Sequence, residues 1–273
     1  MTDKGKLYLI PTPIGNLKDI SQRAIETLEI VDLLLCEDTR HSQKLLNHFN
    51  IKKKLVSYHE HNEMSRSENV IEWLNRGLNI GLITDAGMPG ISDPGTVVVD
   101  LVHKSNLEVI AIPGANAALT AVVLSGFDSS VFQFIGFLPR QLNKKKETLI
   151  TTAQYPGLTI IYESPNRLLD TLKTMGELFS DREIFIAREI SKIHEEHFRG
   201  SISQAIDHFS ERVVKGEIAM VLNRYEISKP EIDIESELKE LLDEGMKKSE
   251  AVKLIAEKHG ISKNQIYKKS LEI

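Results

Sequence analysis

The chain is 273 residues long, 41% hydrophobic and 27% charged, with 34 Lys and Arg against 39 Asp and Glu and a formal net charge of -5. This composition is that of a globular protein with a sizeable core, and the length favours two domains over one, because a single core stops growing near this size. No apolar run reaches the roughly 18–20 residues that cross a bilayer, and Met1-Thr2-Asp3-Lys4-Gly5 lacks the apolar stretch of a secretion signal. A single cysteine, Cys36, excludes an internal disulfide and a cysteine-based zinc site, so a reducing cytoplasm is the expected setting. Mild acidity excludes a globally basic coat for nucleic acid, though not a local basic patch.

In chain order, five short apolar or β-branched runs predict strands at Leu7–Ile10, Leu33–Cys36, Leu55–Tyr58, Ile80–Thr84 and Val109–Ile112. Helical spacing lies between them at Ile20–Glu29, Ser42–Phe49, Ser65–Arg76 and Thr96–Lys104. A second series follows Pro113-Gly114. It has an apolar helix at Ala117–Leu124, strands at Phe132–Leu138, Leu158–Tyr162, Ile184–Ala187 and Ile218–Leu222, and helices at Pro165–Phe179 and Ser201–Phe209. The alternation predicts an α/β fold of βα units on largely parallel sheets, in two domains over residues 1–114 and 115–228 with a ligand cleft between them.

From Glu231 onward only helical patterns appear, at Glu235–Asp243, Ser249–Lys258 and Asn264–Leu271, so residues 231–273 read as a small helical domain. Its charge is divided: residues 231–245 carry a net charge of -6 and residues 246–273 a net charge of +4. Two short helices around a Gly260 turn outline a helix-turn-helix, and a solvated cap whose lysines serve solubility fits equally.

Three Gly/Pro loops fall at the C-terminal ends of expected strands, where open α/β sheets bind ligands: Pro11 to Asn16, Asp85 to Gly95, and Ile112 to Asn116. Glycine permits close approach of main chain to a ligand and proline fixes the loop, so three together suggest a pocket lined by backbone. Singly, each loop also suits an ordinary tight turn. The absence of G-x-x-x-x-G-K-[ST] and of an early G-x-G-x-x-G disfavours a P-loop or a dinucleotide site. His59-Glu60-His61 and His194 to His197 lack metalloprotease spacing, so no metal is expected. Cys36 sits in an apolar run and reads as an inert buried thiol.

These loops, with Phe134 to Arg140, Tyr162 to Arg167, Ala187 to Ile190 and Cys36 to Arg40, resemble the tetrapyrrole-methylase superfamily. Within it the similarity is to the branch that 2′-O-methylates a cytidine ribose in 16S ribosomal RNA of the small (30S) subunit. The resemblance implies two α/β domains that hold S-adenosylmethionine (AdoMet) in their cleft, in a homodimer. Carried over by motif, the cofactor-facing positions are Pro13, Gly15, Gly87, Met88, Ile91, Ser92, Ala115, Asn116, Ala117, Tyr162, Glu163, Ala187 and Ala219. Relatives that modify tetrapyrroles commonly have Gly-Asp-Pro where this chain has Gly87-Met88-Pro89, which argues against a macrocycle substrate.

Methyl transfer to a ribose hydroxyl needs in-line alignment and an acceptor for the hydroxyl proton, a carboxylate or a neutral lysine. Glu37, Asp38, Asp85, Glu163, Glu189 and Lys192 all follow strand ends at the expected cleft, with Arg40 and Arg188 beside them. Asp38, Arg40, Glu163 and Lys192 are the catalytic candidates, against the alternative that Asp38–Arg40 and Arg188–Glu189 are structural pairs and Glu163 a helix cap. Arg140, Lys144 and Lys145, with Arg188, are candidates for gripping the RNA backbone; a solvated helix start would explain the lysines as well. Two other readings compete: methylation of a small metabolite on the same fold, and a non-catalytic RNA-binding protein.

Overall fold

The computed structural model describes residues 4–224, 234–243, 245–259 and 266–267. Residues 1–225 form one compact unit and residues 226–273 another.

The first half of the larger unit alternates strands and helices: β1 (Lys6–Leu9), α1 (Gln22–Ile30), β2 (Leu33–Cys36), α2 (Thr39–His48), β3 (Lys54–Ser57), α3 (Glu63–Asn75), β4 (Ile80–Leu82), α4 (Thr96–Lys104) and β5 (Glu108–Ala111). The strands form one parallel sheet in the order β3-β2-β4-β1-β5. Helices cover both faces, so β2 is buried at all four positions, Leu33 and Leu35 in one core and Leu34 and Cys36 in the other. Helix starts follow capping chemistry: the Ser21 hydroxyl accepts from Ala24 N–H, and the Asp38 carboxylate accepts from Arg40 and His41 N–H, which starts α2 three residues earlier than its apolar pattern does.

The second half contains α5 (Ala117–Ser125), β6 (Phe132–Phe137), α6 (Leu142–Ala153), β7 (Leu158–Glu163), α7 (Pro165–Phe179), β8 (Glu183–Arg188), β9 (Glu196–Ser201), α8 (Ile202–Ser210) and β10 (Ile218–Leu222). Its sheet runs β6-β7-β10-β8-β9, and here the expectation of largely parallel sheets is corrected. Only β6 and β7 are parallel; β7–β10, β10–β8 and β8–β9 are antiparallel. The cause is the short link at residues 189–195, which turns β8 straight back into β9, and the insertion of β10 between β7 and β8. Strand β9 and helix α6 extend the sequence expectation. The β9 segment Glu-His-Phe-Arg-Gly-Ser is too polar to stand out, and in α6 the lysine run interrupts the apolar spacing that Leu149 anchors.

In the smaller unit, α9 (Ile234–Asp243) and α10 (Lys248–His259) pack Leu238 against Ala251, Val252, Ile255 and Ala256, joined by Ile266. The expected Gly260 turn, and all of Asn264–Leu271 apart from Ile266 and Tyr267, lie outside the described residues. Among the described residues no helix is long and apolar enough to cross a membrane.

Candidate functional site

Strands β4, β1 and β5 are neighbours in the first sheet, so the three Gly/Pro loops emerge side by side from its C-terminal edge. They are stitched together by backbone. Thr12 N–H donates to Gly87 O at 2.9 Å, Gly87 N–H to Thr12 O at 3.0 Å, and the Thr12 hydroxyl to Thr84 O at 3.0 Å. Gly87 has φ 81°, and a Cβ there would lie 3.3 Å from Ile14 Cγ2 and 3.5 Å from Ala115 O, so the crossing needs glycine for conformation and for space.

Facing these loops is a cavity of about 340 Å³. Gly87, Met88, Ile91, Ser92, Asn116 and Ala117 line one side and Tyr162, Glu163, Ala187 and Ala219 the other. Ala219 pairs with Ala187 on β8 and with Tyr162 on β7 in register, so two methyl groups and one phenol share a sheet face. The small side chains leave the space. The Tyr162 hydroxyl accepts from Ala118 N–H at 3.0 Å, which fixes the start of α5 against the cavity, and burial pushes its pKa up.

A second hollow, of about 580 Å³, shares Ile14, Asp85, Ala86 and Glu217 with the first and is lined further by Pro13, Gly15, His41, Lys44 and Lys192. Pro13 and Gly15 thus face the neighbouring hollow instead of the cavity. Ala115 packs into the apolar cluster beneath α5 and reaches Gly87 by its carbonyl.

The charged candidates separate by their partners. Glu163 has a fully buried side chain: Oε1 accepts from Ser164 N–H at 2.8 Å and pairs with Arg167 Nε at 3.3 Å, and Oε2 accepts from Thr171 at 2.7 Å. Both oxygens are engaged, so the carboxylate acts as an anchor for α7, whatever its backbone lines. Asp38 caps α2 and pairs with Arg40 at 3.3 Å; the Arg40 side chain, then its N–H, hold the Asp38 pKa below the usual range. Neither residue lines either hollow.

Lys192 does border the hollow. It donates to Glu189 Oε1 at 2.8 Å and Glu217 Oε2 at 3.0 Å; burial disfavours its charge, but the two carboxylates outweigh that and hold its pKa above the ordinary value. The neutral-lysine role expected from sequence is therefore corrected: this amine is a fixed cation. Glu189 (φ 55°) and Ser191 (φ 66°) take left-handed backbone in the turn that presents it.

Arg188 is spent on structure, donating to Glu196 and to the carbonyls of Lys215 and His194. Lys145 is corrected as a phosphate contact: its side chain is 3% exposed, and its amine pairs with Asp170 at 2.6 Å between α6 and α7. Arg140 and Lys144 remain exposed, with no ion pair among the described residues.

Three residues of the site escaped the sequence reading. Asp93 lines the cavity from within the 85–95 loop. Burial raises its pKa from 3.8 to about 6; the neighbouring Thr84 hydroxyl offsets part of this, and the charges of Glu37, Asp85 and Glu217 add to the rise. Glu217, just before β10, joins both hollows. Phe137, 55% exposed, lies at the cavity with its ring 5.8 Å from that of Tyr162. Ser-Asp-Pro in a loop is common enough to hide Asp93, and an aromatic at a strand end reads as core.

Comparison with known proteins agrees with this architecture. The family model described as Tetrapyrrole (Corrin/Porphyrin) Methylases matches residues 6–206. A protein named ribosomal RNA small subunit methyltransferase I, from Halalkalibacterium halodurans, is 44% identical over 272 residues, covering 97% of this chain and 94% of that one. One of the same name from Thermotoga maritima is 46% identical over 219 residues, 80% of this chain and 98% of that one. Among solved structures, a diphthine synthase is similar in fold, with TM-score 0.65 at 13% identity over 81% of this chain and 90% of that one.

Proposed function

The chain belongs to the tetrapyrrole (corrin/porphyrin) methylase family and is a methyltransferase, and on that footing we propose that it uses AdoMet to 2′-O-methylate a cytidine ribose in 16S ribosomal RNA of the small subunit. The observation that carries the cofactor reading is the cavity itself. Its volume lies in the range of small-ligand sites, its walls are main chain and small apolar side chains, and its charged lining is acidic, from Asp85, Asp93 and Glu217. An anionic pocket suits a ligand that carries a sulfonium and an ammonium. The Gly87–Ser92 segment, Asn116, Ala117, Tyr162, Ala187 and Ala219 would hold AdoMet, which supplies an activated methyl group.

The nucleotide side is supported by what lies at the mouth. Phe137 offers an exposed aromatic face for an unstacked base, and Arg140 and Lys144 follow it with exposed cations for phosphate. The Glu189-Lys192-Glu217 set keeps one ammonium in a fixed place beside the hollow, suited to orienting a ribose or phosphate oxygen. The whole-length match to relatives named for small-subunit ribosomal RNA supports that substrate class. A homodimer is supported by α5, whose sequence is apolar almost all round and leaves Leu119 51% and Val123 79% exposed. A cytoplasmic setting is consistent with the substrate.

The test is to incubate the protein with methyl-labelled AdoMet and 30S particles and then digest the RNA in alkali. A ribose methyl protects the adjacent linkage, so label is expected in an alkali-resistant dinucleotide; label only in mononucleotides would refute ribose methylation.

A further inference from the structure

Resting on the ribose-methylation reading above, we infer that Asp93 is the proton acceptor for the attacking hydroxyl. Among the described residues, four carboxylates line the cavity: Asp85, Asp93, Glu163 and Glu217. Glu163 has both oxygens occupied by Ser164, Arg167 and Thr171, and Glu217 is bound to Lys192. Asp85 borders the cavity with Oδ1 buried and unpartnered, which leaves it and Asp93 as the two carboxylates not held by another side chain. Asp93 lines the cavity and forms no ion pair among the described residues.

Its placement is fixed from both sides of the cleft. The loop that carries it turns at Gly90 (φ 81°) and Gly95 (φ 148°), where glycine takes positive φ freely, and holds Ser92, the residue before Asp93, in left-handed backbone (φ 62°), a conformation that a serine keeps where the surroundings impose it. Ser92 Oγ lies 3.4 Å from where a Cβ on Gly136 would stand, at the irregularity in β6, so the loop tip abuts the second half of the molecule. The charges that face Asp93 come from three elements: Glu37 after β2, Asp85 after β4 and Glu217 before β10, with the Thr84 hydroxyl beside it. Lys192, in the neighbouring hollow, is already shared by two other carboxylates.

Burial, reinforced by the charges of neighbouring acids, makes this carboxylate a better base than an exposed one. With its pKa near 6, Asp93 is ionised at neutral pH yet accepts a proton far more readily than an ordinary aspartate. As the ribose oxygen forms its bond to the methyl carbon, the O–H proton passes to an Asp93 oxygen. The carbon–sulfur bond breaks with its electron pair left on sulfur as a neutral thioether. Asp93, now a neutral acid, returns the proton to solvent after product leaves.

The experiment compares the wild-type protein with Asp93→Asn and Asp93→Glu. Single-turnover methyl transfer into 30S particles is followed from pH 5 to 9, AdoMet affinity is measured by calorimetry, and the carboxyl carbons of the ligand-free protein are titrated by NMR. The expected wild-type rate rises tenfold per pH unit below the Asp93 midpoint near 6 and then levels, and one carboxyl titrates at that midpoint. Asp93→Asn should transfer ~10²- to 10⁴-fold more slowly without that break, Asp93→Glu should recover part of the rate, and any weakening of AdoMet binding from the lost wall charge should be far smaller than the loss of rate. A rate for Asp93→Asn within about threefold of wild type, or a loss of AdoMet binding that accounts for the whole rate loss, would overturn the assignment. Wild-type protein that leaves 30S ribose unlabelled would instead overturn the substrate reading, while the carboxyl titration still reports on Asp93.

Discussion

Asp93 also makes a prediction that needs no substrate. In the unfolded chain its carboxyl ionises near 3.8; in the folded protein burial and the surrounding acids shift this to about 6. The folded state therefore holds its proton more tightly. The stability this contributes is fully present below pH 3.8 and is lost as the pH rises to about 6, beyond which the ionised group is a standing burden. A shift of about two units corresponds to ~3 kcal/mol at most, and because the side chain keeps part of its solvent, screening reduces this to on the order of 1 kcal/mol. Asp93→Asn keeps the shape and removes the charge, so it should melt about 2–4 °C above wild type at pH 8, with the gap closing below pH 4. Calorimetric melting of the ligand-free proteins across that range is the measurement. A variant that melts at or below the wild-type temperature at pH 8 would refute the reasoning, as would a gap of the same size at pH 4. A gain in stability with a loss of rate is the usual mark of a group kept for chemistry.

Three further outcomes follow from packing and charge. Gly15→Ala places a methyl group against Lys192 Cγ and 2.9 Å from Ile190 O, and because backbone cannot move aside as a side chain can, it should cost about 1–3 kcal/mol in denaturant unfolding and displace Lys192, with turnover falling. Lys145→Ala opens a void beside Thr171, while Asp170, 73% exposed, is taken up by solvent, so it should destabilise by about 1–2 kcal/mol and leave the salt dependence of RNA binding unchanged; Lys144→Ala should do the reverse, lowering the slope of log affinity against log salt by about one unit. Val123→Lys tests the proposed homodimer: it should shift sedimentation toward monomer without altering the melting of the isolated fold, because Val123 is 79% exposed.

The first half of the molecule was legible because its parallel sheet buries both faces: Leu33–Cys36 is an unbroken apolar run, and Ile80 to Leu82 is bounded by glycine-rich turns. The loops that build the cavity were legible for the same reason that they work, since glycine and proline mark the places where backbone is the lining. The second sheet was less so. Its antiparallel order depends on β10 entering between β7 and β8, a pairing of residues far apart in the chain that no local pattern encodes. Lys145 shows the limit for charge: three consecutive lysines look alike in sequence, yet helix α6 turns the middle one inward to Asp170. Asp93 shows the limit for chemistry, because its proton affinity is set first by burial and then by the charges of Glu37, Asp85 and Glu217, and only folding brings either about.

Calorimetric titration of the ligand-free wild-type protein with AdoMet, beside an Ala219→Leu variant that melts normally, tests the cavity most directly. Saturable binding to wild type, weakened at least ~100-fold when the leucine fills the floor between Ala187 and Tyr162, is the predicted result. No heat of binding in the folded wild-type protein, or equal affinity in the filled variant, would contradict it.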